Sequence, residues 1–273
     1  STGINVDQTV YAGGARRANV EQAEFLILAA RAGVLGVEQE VLLAGATAYM
    51  DVVLFQAIVE LRQNNLSVLQ RQLRAARDRF AVGEATRTDT SQAEARVAGA
   101  QALITDAQAR LNAARAAYER IVGVRPGTLE SPVVPVNLPR SLEESITLAQ
   151  TNNPRVIQSD YLQRASSAAI GIAEADLLPT VLLRASATST FWPSDTVDRR
   201  DNLSVTAQVS VPLYTGGAAS SRIRAARETA NARAIDVEHA RRIAIEEAIR
   251  AWEDLTSMRS TIDSLLSQIN ALR

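Results

Sequence analysis

The chain has 273 residues, of which 47% are hydrophobic and only 4% aromatic. Its formal net charge of −1 at pH 7 gives no indication of a general affinity for nucleic acid. Cysteine is absent, which excludes disulfides, thiolate metal sites and thiol nucleophiles.

No uninterrupted apolar run approaches the roughly 18 residues that a membrane-spanning helix requires. The nearest candidate, residues 25–30, is ended by Arg31, and no signal peptide is visible at Ser1. Because the chain opens almost directly in a predicted strand and stops within a predicted helix at Arg273, we expect it to be a trimmed product.

An alternating segment at the start of the chain leads into a pair of glycines. Ile4, Val6 and Val10 are predicted to share one face of a strand, with polar residues on the other. Gly13 and Gly14 allow the positive φ that a chain reversal needs, so they predict a joint between this strand and the next element.

A long helical hairpin is predicted after this joint. Nothing from Ala15 to about Val82 would stop a helix, which would be about 100 Å long and would need a packing partner. A return helix ending near Gly123 carries an unbroken 4-3-4-3 apolar rhythm, typical of a coiled coil. The stripe of the first helix is Val34, Val37, Val41, Ala44 and Ala48, then Leu66, Leu69, Leu73, Ala76 and Phe80. The stripe of the return helix is Ala93, Val97, Ala100, Ile104, Ala107, Leu111, Ala114, Tyr118 and Ile121.

The two helices are joined by a predicted short turn at the hairpin tip. Thr88 or Asp89 is the expected N-cap of the return helix. The turn consists of Val82, Gly83, Glu84, Ala85, Thr86, Arg87, Thr88 and Asp89.

Several prolines within residues 124–140 predict that the chain leaves the hairpin there. Ser141 and Glu144 form a capping-box pattern for a short helix to about Thr151. Asn153-Pro154 then predicts the start of another helix that runs to about Leu177.

Two alternating runs flank a predicted polar loop from Pro193 to Asn202. Each run has about 11 residues, the length of a tilted strand that crosses a bilayer. Phe191 and Trp192 lie where an aromatic girdle would be. The runs cover 181–191 and 203–213.

A soluble hairpin with one buried face would show the same alternation, and the pattern alone favours that interpretation. Pro212 predicts an edge or strand-end position, since proline has no N–H to donate. Both interpretations therefore stay open from the residues alone.

The two halves of the chain superpose at an offset of 203 residues without a gap. Tyr214 falls on Tyr11, and Gly216 and Gly217 fall on Gly13 and Gly14. A second long helix is predicted after Gly217, again with a 4-3-4-3 stripe. This indicates an internal duplication of a strand, joint and long-helix unit. The stripe of the second long helix is Ala244, Ala248, Ala251, Leu255, Met258, Ile262, Leu265, Ile269 and Leu272.

No catalytic triad, phosphate loop or metal-ligand spacing appears, so we expect no enzyme activity, cofactor or metal. His239, the single histidine, is expected to be a solvated helix residue. Arginines just after the two joints could reach lipid phosphates at a membrane interface. They are Arg16, Arg17, Arg222 and Arg224.

Three motifs together resemble the TolC family of outer-membrane channel proteins. One is Val211-Pro212-Leu213-Tyr214-Thr215-Gly216-Gly217, similar to the family's strand-to-helix signature. Another is Arg79-Phe80-Ala81-Val82-Gly83 followed by Thr88-Asp89, similar to its hairpin tip. The last is Ala175-Asp176-Leu177-Leu178-Pro179, where the family enters its second β-hairpin.

The resemblance implies a fold that is mainly α with a β-barrel portion. It implies a homotrimer in which long antiparallel coiled-coil helices form an α-helical barrel across the periplasm, continuous with a shared transmembrane β-barrel. The chain departs from the family pattern because it shows three strands instead of four and ends before a second tip, so gating residues would lie beyond Arg273.

On this resemblance, each part of the chain has an expected place. The tip from Val82 to Asp89 would dock a periplasmic adaptor, and the joints Tyr11, Gly13, Gly14, Tyr214, Gly216 and Gly217 would separate barrel from tunnel. The barrel lumen would be lined by Arg184, Ser186, Thr188, Thr206 and Gln208. The expected divisions are strand 1–13, helical hairpin 14–123, equatorial insert 124–153, tunnel helix 154–178, barrel hairpin 179–215 and truncated tunnel helix 216–273.

The expected function is a passive export duct in the outer membrane of a Gram-negative cell, serving type I secretion, multidrug efflux or both. Its expected partners are a periplasmic adaptor, an inner-membrane transporter and outer-membrane lipid, without nucleic acid. One alternative is a periplasmic adaptor protein, although no lipoyl-like segment is evident. Another is a soluble coiled-coil scaffold with a small β-hairpin.

Overall fold

The computed structural model describes residues 2–127, 129–130, 132, 138–194 and 197–272. The elements in chain order are β1 (Thr2–Ala12), α1 (Ala15–Ala81), α2 (Arg87–Val122), α3 (Leu142–Asn152), α4 (Pro154–Ala175), β2 (Thr180–Ser194), β3 (Val197–Ser210) and α5 (Ala218–Ala271). Contacts divide the chain into two units, one of residues 1–36 with 139–273 and the other Val37–Leu138.

The second unit is an antiparallel pair made by the later part of α1 and by α2. Val52 of α1 is fully buried against Leu111 and Ala114 of α2. Near the far end of the pair, Arg77 forms an ion pair with Glu94 at 2.7 Å. The predicted stripe of α2 is its packed side, because every member from Ala93 to Ile121 is buried or half-buried.

The predicted stripe of α1 is wrong in its first half. Val34, Val37, Val41 and Ala44 are exposed, and of that set only Ala48 is buried. The packed side carries small residues instead, since an added Cβ at Gly33 would lie 2.8 Å from the Gln158 side chain. Small residues let helices approach closely, so large apolar side chains are left on the outside. The packed side of this part of α1 includes Ala29, Ala32, Gly33, Gly36, Gly45 and Ala48.

The first unit combines α3, α4, α5 and the start of α1 with a three-stranded sheet. Its packed side chains are mostly alanine, which allows close helix contact. Along α5 the predicted stripe is buried or half-buried at Ala244, Ala248 and Leu255, whereas Ala251 and every member from Met258 onward are exposed. The buried apolar residues of this unit's helices are Ala29, Ala32, Val156, Ala165, Ala175, Ala219, Ile223, Ala230, Val237 and Ala244.

The helix starts in the middle of the chain have the predicted N-cap residues, but the capping box predicted at Ser141 and Glu144 is only half formed. Ser141 caps α3, and its hydroxyl accepts the Glu144 N–H at 3.2 Å. The Glu144 carboxylate accepts the N–H of Arg140 at 2.7 Å, one residue before the position a closed capping box would use. Asn153 caps α4 by accepting the Arg155 N–H at 2.9 Å, with Pro154 in the first turn.

The sheet is antiparallel with the order β1-β2-β3. The predicted loop from Pro193 to Asn202 is wrong, because β2 reaches Ser194 and β3 begins at Val197. Main-chain pairing does not require apolar side chains, so the charged residues at the start of β3 continue the ladder opposite β2. The predicted strand extension to Leu213 is also wrong. Thr180, the first residue of β2, lies opposite Ser210, so β3 has no partner strand beyond that point.

α1 is the one described helix that is long and apolar enough to cross a membrane by length and composition, although charged residues interrupt its apolar runs. Its most apolar eighteen-residue window has a mean hydropathy of 1.7 and is 11% buried. Length and composition alone are weak grounds for a span.

Candidate functional site

The register of the sheet sorts its side chains onto two faces. Val181, Ala185 and Ala187 of β2 lie opposite Val209, Val205 and Leu203 of β3. On β1, Ile4 and Val6 pair with Ala187 and Ala185, so these rows are apolar across all three strands. Gln8, opposite Leu183, is a polar exception on this face. Successive strand residues point to opposite faces, which places the intervening polar residues on the other side.

The apolar face is exposed. Ile4 is 73% exposed, Leu203 79% and Val205 69%. No described helix covers these side chains, whereas a soluble hairpin of the alternative interpretation would bury them. The sheet therefore presents apolar side chains outward along most of its length.

The polar face brings together the five residues predicted to line a lumen. Arg184 lies opposite Thr206, and Leu182 lies opposite Gln208. The Ser186 and Ser204 hydroxyls are 2.7 Å apart and hydrogen-bonded. The five residues are Arg184, Ser186, Thr188, Thr206 and Gln208.

Asp7 is a residue of this face that the predicted lumen set omitted. It pairs in register with Arg184, whose Nε donates to Asp7 Oδ1 at 2.7 Å. Both residues occupy polar positions of alternating runs, which was a signal in the sequence, but the register was needed to bring them together.

A register shift interrupts β1 between Thr9 and Tyr11. Val10 has no partner in the ladder, and Tyr11 pairs with Val181 of the apolar face. The bulge brings Tyr11 into the apolar row, and the placement of Val10 on the face of Ile4 and Val6 stays a prediction.

Both predicted joints adopt the same backbone conformation. Gly13 and Gly14 have φ of 58° and 85°, and Gly216 and Gly217 have φ of 62° and 86°. α1 begins directly after the first pair and α5 directly after the second. Positive φ at four positions explains why glycine occupies them all.

The surroundings of the two joints differ. A Cβ at Gly13 would lie 2.7 Å from Leu178 Cβ and 2.8 Å from the Ala175 carbonyl oxygen. At Gly216 nothing lies within 4 Å, and Tyr214 is 91% exposed against 48% for Tyr11. In the bend of the first joint, a groove of about 1150 Å³ is lined by residues of β1 and early α1, among them Arg16 and Arg17.

The start of α5 is tied to the end of α4 by two ion pairs that the sequence did not predict. Arg222 donates to Asp176 at 2.6 Å, and Arg227 donates to Glu174 at 2.9 Å. Arg224 donates to its neighbour Ser221 at 3.0 Å. Arg222 thus has a carboxylate partner, and contact of these arginines with lipid phosphate stays a prediction.

The hairpin tip is a tight turn closed by two backbone hydrogen bonds. Gly83, at φ 82°, donates to the Phe80 carbonyl at 3.0 Å, and the Glu84 N–H donates to the Arg79 carbonyl at 2.8 Å. This pattern ends α1 in the manner of a glycine C-cap. Val82 is 72% exposed at the tip.

The N-cap of α2 is Thr86, so the prediction of Thr88 or Asp89 is wrong. Asp89 is the third residue of a closed capping box. Its carboxylate accepts the Thr86 N–H at 2.9 Å, and the Thr86 hydroxyl oxygen accepts the Asp89 N–H at 3.3 Å. The bond from the Thr86 backbone, and then that from its hydroxyl, lowers the pKa of Asp89 from its ordinary value of 3.8.

Phe191 lies under the Arg199 guanidinium, 5.7 Å from the ring centre, and Arg199 is paired with Asp201 at 2.9 Å. The side chain of Trp192, the other predicted girdle residue, lies outside the described residues. His239 is exposed on α5.

Comparison with known proteins identifies the architecture. A family model described as outer membrane efflux protein matches residues 1–124 and 145–271. The chain belongs to the outer membrane efflux protein family. Membership places it in the outer membrane and in a family of channels rather than enzymes, and it confirms the TolC-like resemblance of the three motifs.

One relative is the outer membrane efflux protein BepC of Brucella suis biovar 1. It is 33% identical over 264 residues, which cover 96% of this chain and 58% of BepC. Alkaline protease secretion protein AprF of Pseudomonas aeruginosa is 30% identical over 188 residues, covering 66% of this chain and 39% of AprF. The structure of the outer-membrane channel OprN has a TM-score of 0.84 at 23% identity, covering 99% of this chain and 62% of OprN. The chain thus spans about half the length of the curated relatives it matches.

Proposed function

We propose that the chain forms the greater part of one protomer of a homotrimeric outer-membrane export duct. The duct is a passive conduit from the periplasm to the exterior, and inner-membrane partners supply the energy. The observation that carries this proposal is the sheet with an exposed apolar face and an opposite polar face, set within a member of the outer membrane efflux family.

The dimensions of the apolar face suit a bilayer. On β2 the same face runs over eleven residues from Val181 to Phe191, and its alternate side chains are apolar except at Ser189. An extended segment of that length spans about 33 Å, and a tilt of about 40° reduces its height to about 25 Å. This matches the apolar band of an outer-membrane barrel, which is about 25 Å tall.

A shared assembly is supported by apolar surface that one chain leaves open. In α1, several large apolar side chains are exposed, and extensive exposed apolar surface marks association surfaces. A second and third copy of the chain are the proposed cover. The side chains include Val37, Val41, Leu42, Leu43, Leu54 and Leu61.

The internal duplication is part of the proposal. The two joints share their φ values, and each is followed at once by a long helix at the same offset of 203 residues. Two quasi-equivalent halves per chain would give a trimer six similar units around its axis.

The division of the chain follows from this arrangement. Residues 1–13 and 179–215 contribute barrel strands, and 14–123, 154–178 and 216–273 contribute tunnel helices around an equatorial insert at 124–153. Arg184, Ser186, Thr188, Thr206 and Gln208 face the lumen. The joints Tyr11, Gly13, Gly14, Tyr214, Gly216 and Gly217 mark the change from barrel to tunnel.

The tip from Val82 to Asp89 is the proposed docking site for a periplasmic adaptor, which in turn contacts an inner-membrane transporter. Exposed Val82 at a rigidly capped turn suits a contact between helical hairpins. The names of BepC and AprF support efflux and protein secretion respectively as candidate tasks.

Adjacent residues of β3 provide a direct test of the membrane arrangement. Val205 lies on the apolar face and Thr206 on the polar face. Arg at a lipid-facing midplane position costs about 2–4 kcal/mol. Val205→Arg is expected to abolish recovery of the trimer from the outer-membrane fraction, whereas Thr206→Arg is expected to insert and conduct in planar bilayers. Equal insertion of both variants, or a monodisperse aqueous monomer of the unsubstituted protein, would contradict the proposal.

A further inference from the structure

One row of the polar face crosses all three strands and contains two charges. Asp7 of β1, Arg184 of β2 and Thr206 of β3 lie side by side in register. The Arg184 Nε donates to Asp7 Oδ1 at 2.7 Å, and the two side chains are 54% and 50% exposed. The ion pair is therefore in contact with solvent on this face.

The neighbouring rows of the same face carry no charge. Thr9, Leu182 and Gln208 form the row towards the joint. On the other side lie the rows Asn5, Ser186 and Ser204, then Gly3, Thr188 and Asn202. Among these described rows, Asp7 and Arg184 are the two ionised side chains. The next charge on this face among the described pairs is Arg200, opposite Thr190 and one row beyond Thr188. Within the four rows above, the fixed charge depends on Asp7 and Arg184.

We propose that the Asp7–Arg184 pair controls what its row of the barrel lumen contributes to the charge selectivity of the duct. Intact, the pair is neutral as a whole, so this row adds little preference for anions or cations. Loss of one partner leaves an unpaired charge, and three copies would form a ring of like charge at a single height. Charged rings are the means by which pores select ions.

This inference rests on the proposed function, because it requires the polar face to line a conducting lumen. It concerns ion preference and makes no claim about the larger cargo. The effect should depend on salt, because a fixed charge is screened over about 10 Å at 0.1 M and about 3 Å at 1 M.

Reversal potentials in planar bilayers under a KCl gradient test the proposal. Asp7→Asn leaves Arg184 unpaired and is expected to shift the chloride-to-potassium permeability ratio upward by about twofold or more at 0.1 M salt. Arg184→Gln is expected to shift the ratio in the opposite direction. The Asp7→Asn/Arg184→Gln double variant and the charge-retaining Asp7→Glu are both expected to resemble the unsubstituted protein. Both single shifts should shrink at 1 M KCl.

The outcomes separate this inference from the function on which it rests. Normal conductance with unchanged selectivity in both single variants would overturn the inference and leave the channel intact. Absence of conductance in the unsubstituted protein would overturn the proposed function. Failure of both single variants to insert, with the double variant inserting normally, would make the pair an assembly element and would also overturn its role in selectivity.

Discussion

The two glycine joints have the same backbone conformation but different neighbours. At the first joint, Gly13 lies against Leu178 and the Ala175 carbonyl, so it is needed for positive φ and for space. At the second joint, Gly216 has the same positive φ and open surroundings. The comparison separates what a glycine does for its own backbone from what it does for a packed neighbour.

The largest expected difference is between Gly13→Ala and Gly216→Ala. At Gly216 the substitution costs only the strain of a left-handed residue, about 1–2 kcal/mol. At Gly13 the same strain is joined by overpacking against Leu178 and Ala175, which adds about 1–3 kcal/mol. Urea unfolding of both variants in detergent measures the difference. Equal losses would show that the contact at Gly13 relaxes freely.

The second glycine of each pair should behave alike at the two joints. Gly14 and Gly217 have φ of 85° and 86°, and an added Cβ meets nothing within 4 Å at either. Gly14→Ala and Gly217→Ala are each expected to lose about 1–2 kcal/mol in the same unfolding experiment. Asn tolerates this conformation better, so the matching Asn variants should lose less. A large inequality between the Ala variants would mean that the joints differ in backbone strain as well as in packing.

The start of α2 at the hairpin tip can be compared with the helix starts at the joints. α2 begins with a side-chain cap, whereas α5 has no side-chain cap at Gly217. Thr86→Ala removes the capping hydroxyl and is expected to cost about 1 kcal/mol. Amide hydrogen exchange should rise in the first turn of α2 and stay unchanged after Gly14 and Gly217. Faster exchange after Gly14 or Gly217 in the Thr86→Ala variant would show that the cap does not act only on the first turn of α2.

The same cap should respond to acid, and the glycine joints should not. The folded pKa of Asp89 lies below its ordinary value of 3.8, so its stabilising effect is complete above that value. It is lost as pH falls from there through the lower folded pKa. Protection of the Thr86 and Asp89 amides, measured relative to intrinsic exchange at each pH, is expected to fall over that acidic range, and Asp89→Asn should remove this loss of protection. If Asp89→Asn leaves hydrogen exchange at the tip unchanged, the Asp89 carboxylate is excluded as the cause of the acid response.

The smallest expected effects come from the ion pairs that hold α5 near the second joint. Arg222→Gln and Arg227→Gln each break a contact with a carboxylate at the end of α4. Half-exposed pairs of this kind contribute about 0.2–1 kcal/mol, and added salt should reduce that contribution. Arg224→Gln, which loses only a bond to Ser221, serves as the control. If neither variant loses more stability than Arg224→Gln, the two ion pairs contribute nothing measurable. Apolar contacts alone would then hold α5 against α4.

The sequence predicted those features that depend on neighbouring residues. The order of elements, the glycine joints and the α2 stripe follow from local turn chemistry and periodicity. The α1 stripe was wrong at Val34 and Val37. A helical period shows that residues share one side of a helix, but it does not show whether that side packs within the same chain. The prediction of a loop from Pro193 to Asn202 was wrong because polar side chains were taken to indicate a loop. Strand pairing is made by backbone atoms and does not depend on side-chain polarity.

The candidate site was predicted in part. Alternation alone assigns Arg184 and Thr206 to one face of the sheet. The partner of Arg184, however, is 177 residues away in sequence, and only the register of β1 selects Asp7. The packing of Gly13 against Ala175 and Leu178 is likewise a contact between distant segments.

The register of the sheet also has a consequence for the order of folding. β2 and β3 are consecutive and close as a hairpin, whereas β1 pairs with β2 across the whole length of α1 to α4. Closing the longer loop carries the larger entropic cost, and contacts of high sequence separation form slowly. We therefore expect the β2–β3 hairpin to form early and β1 to join it last.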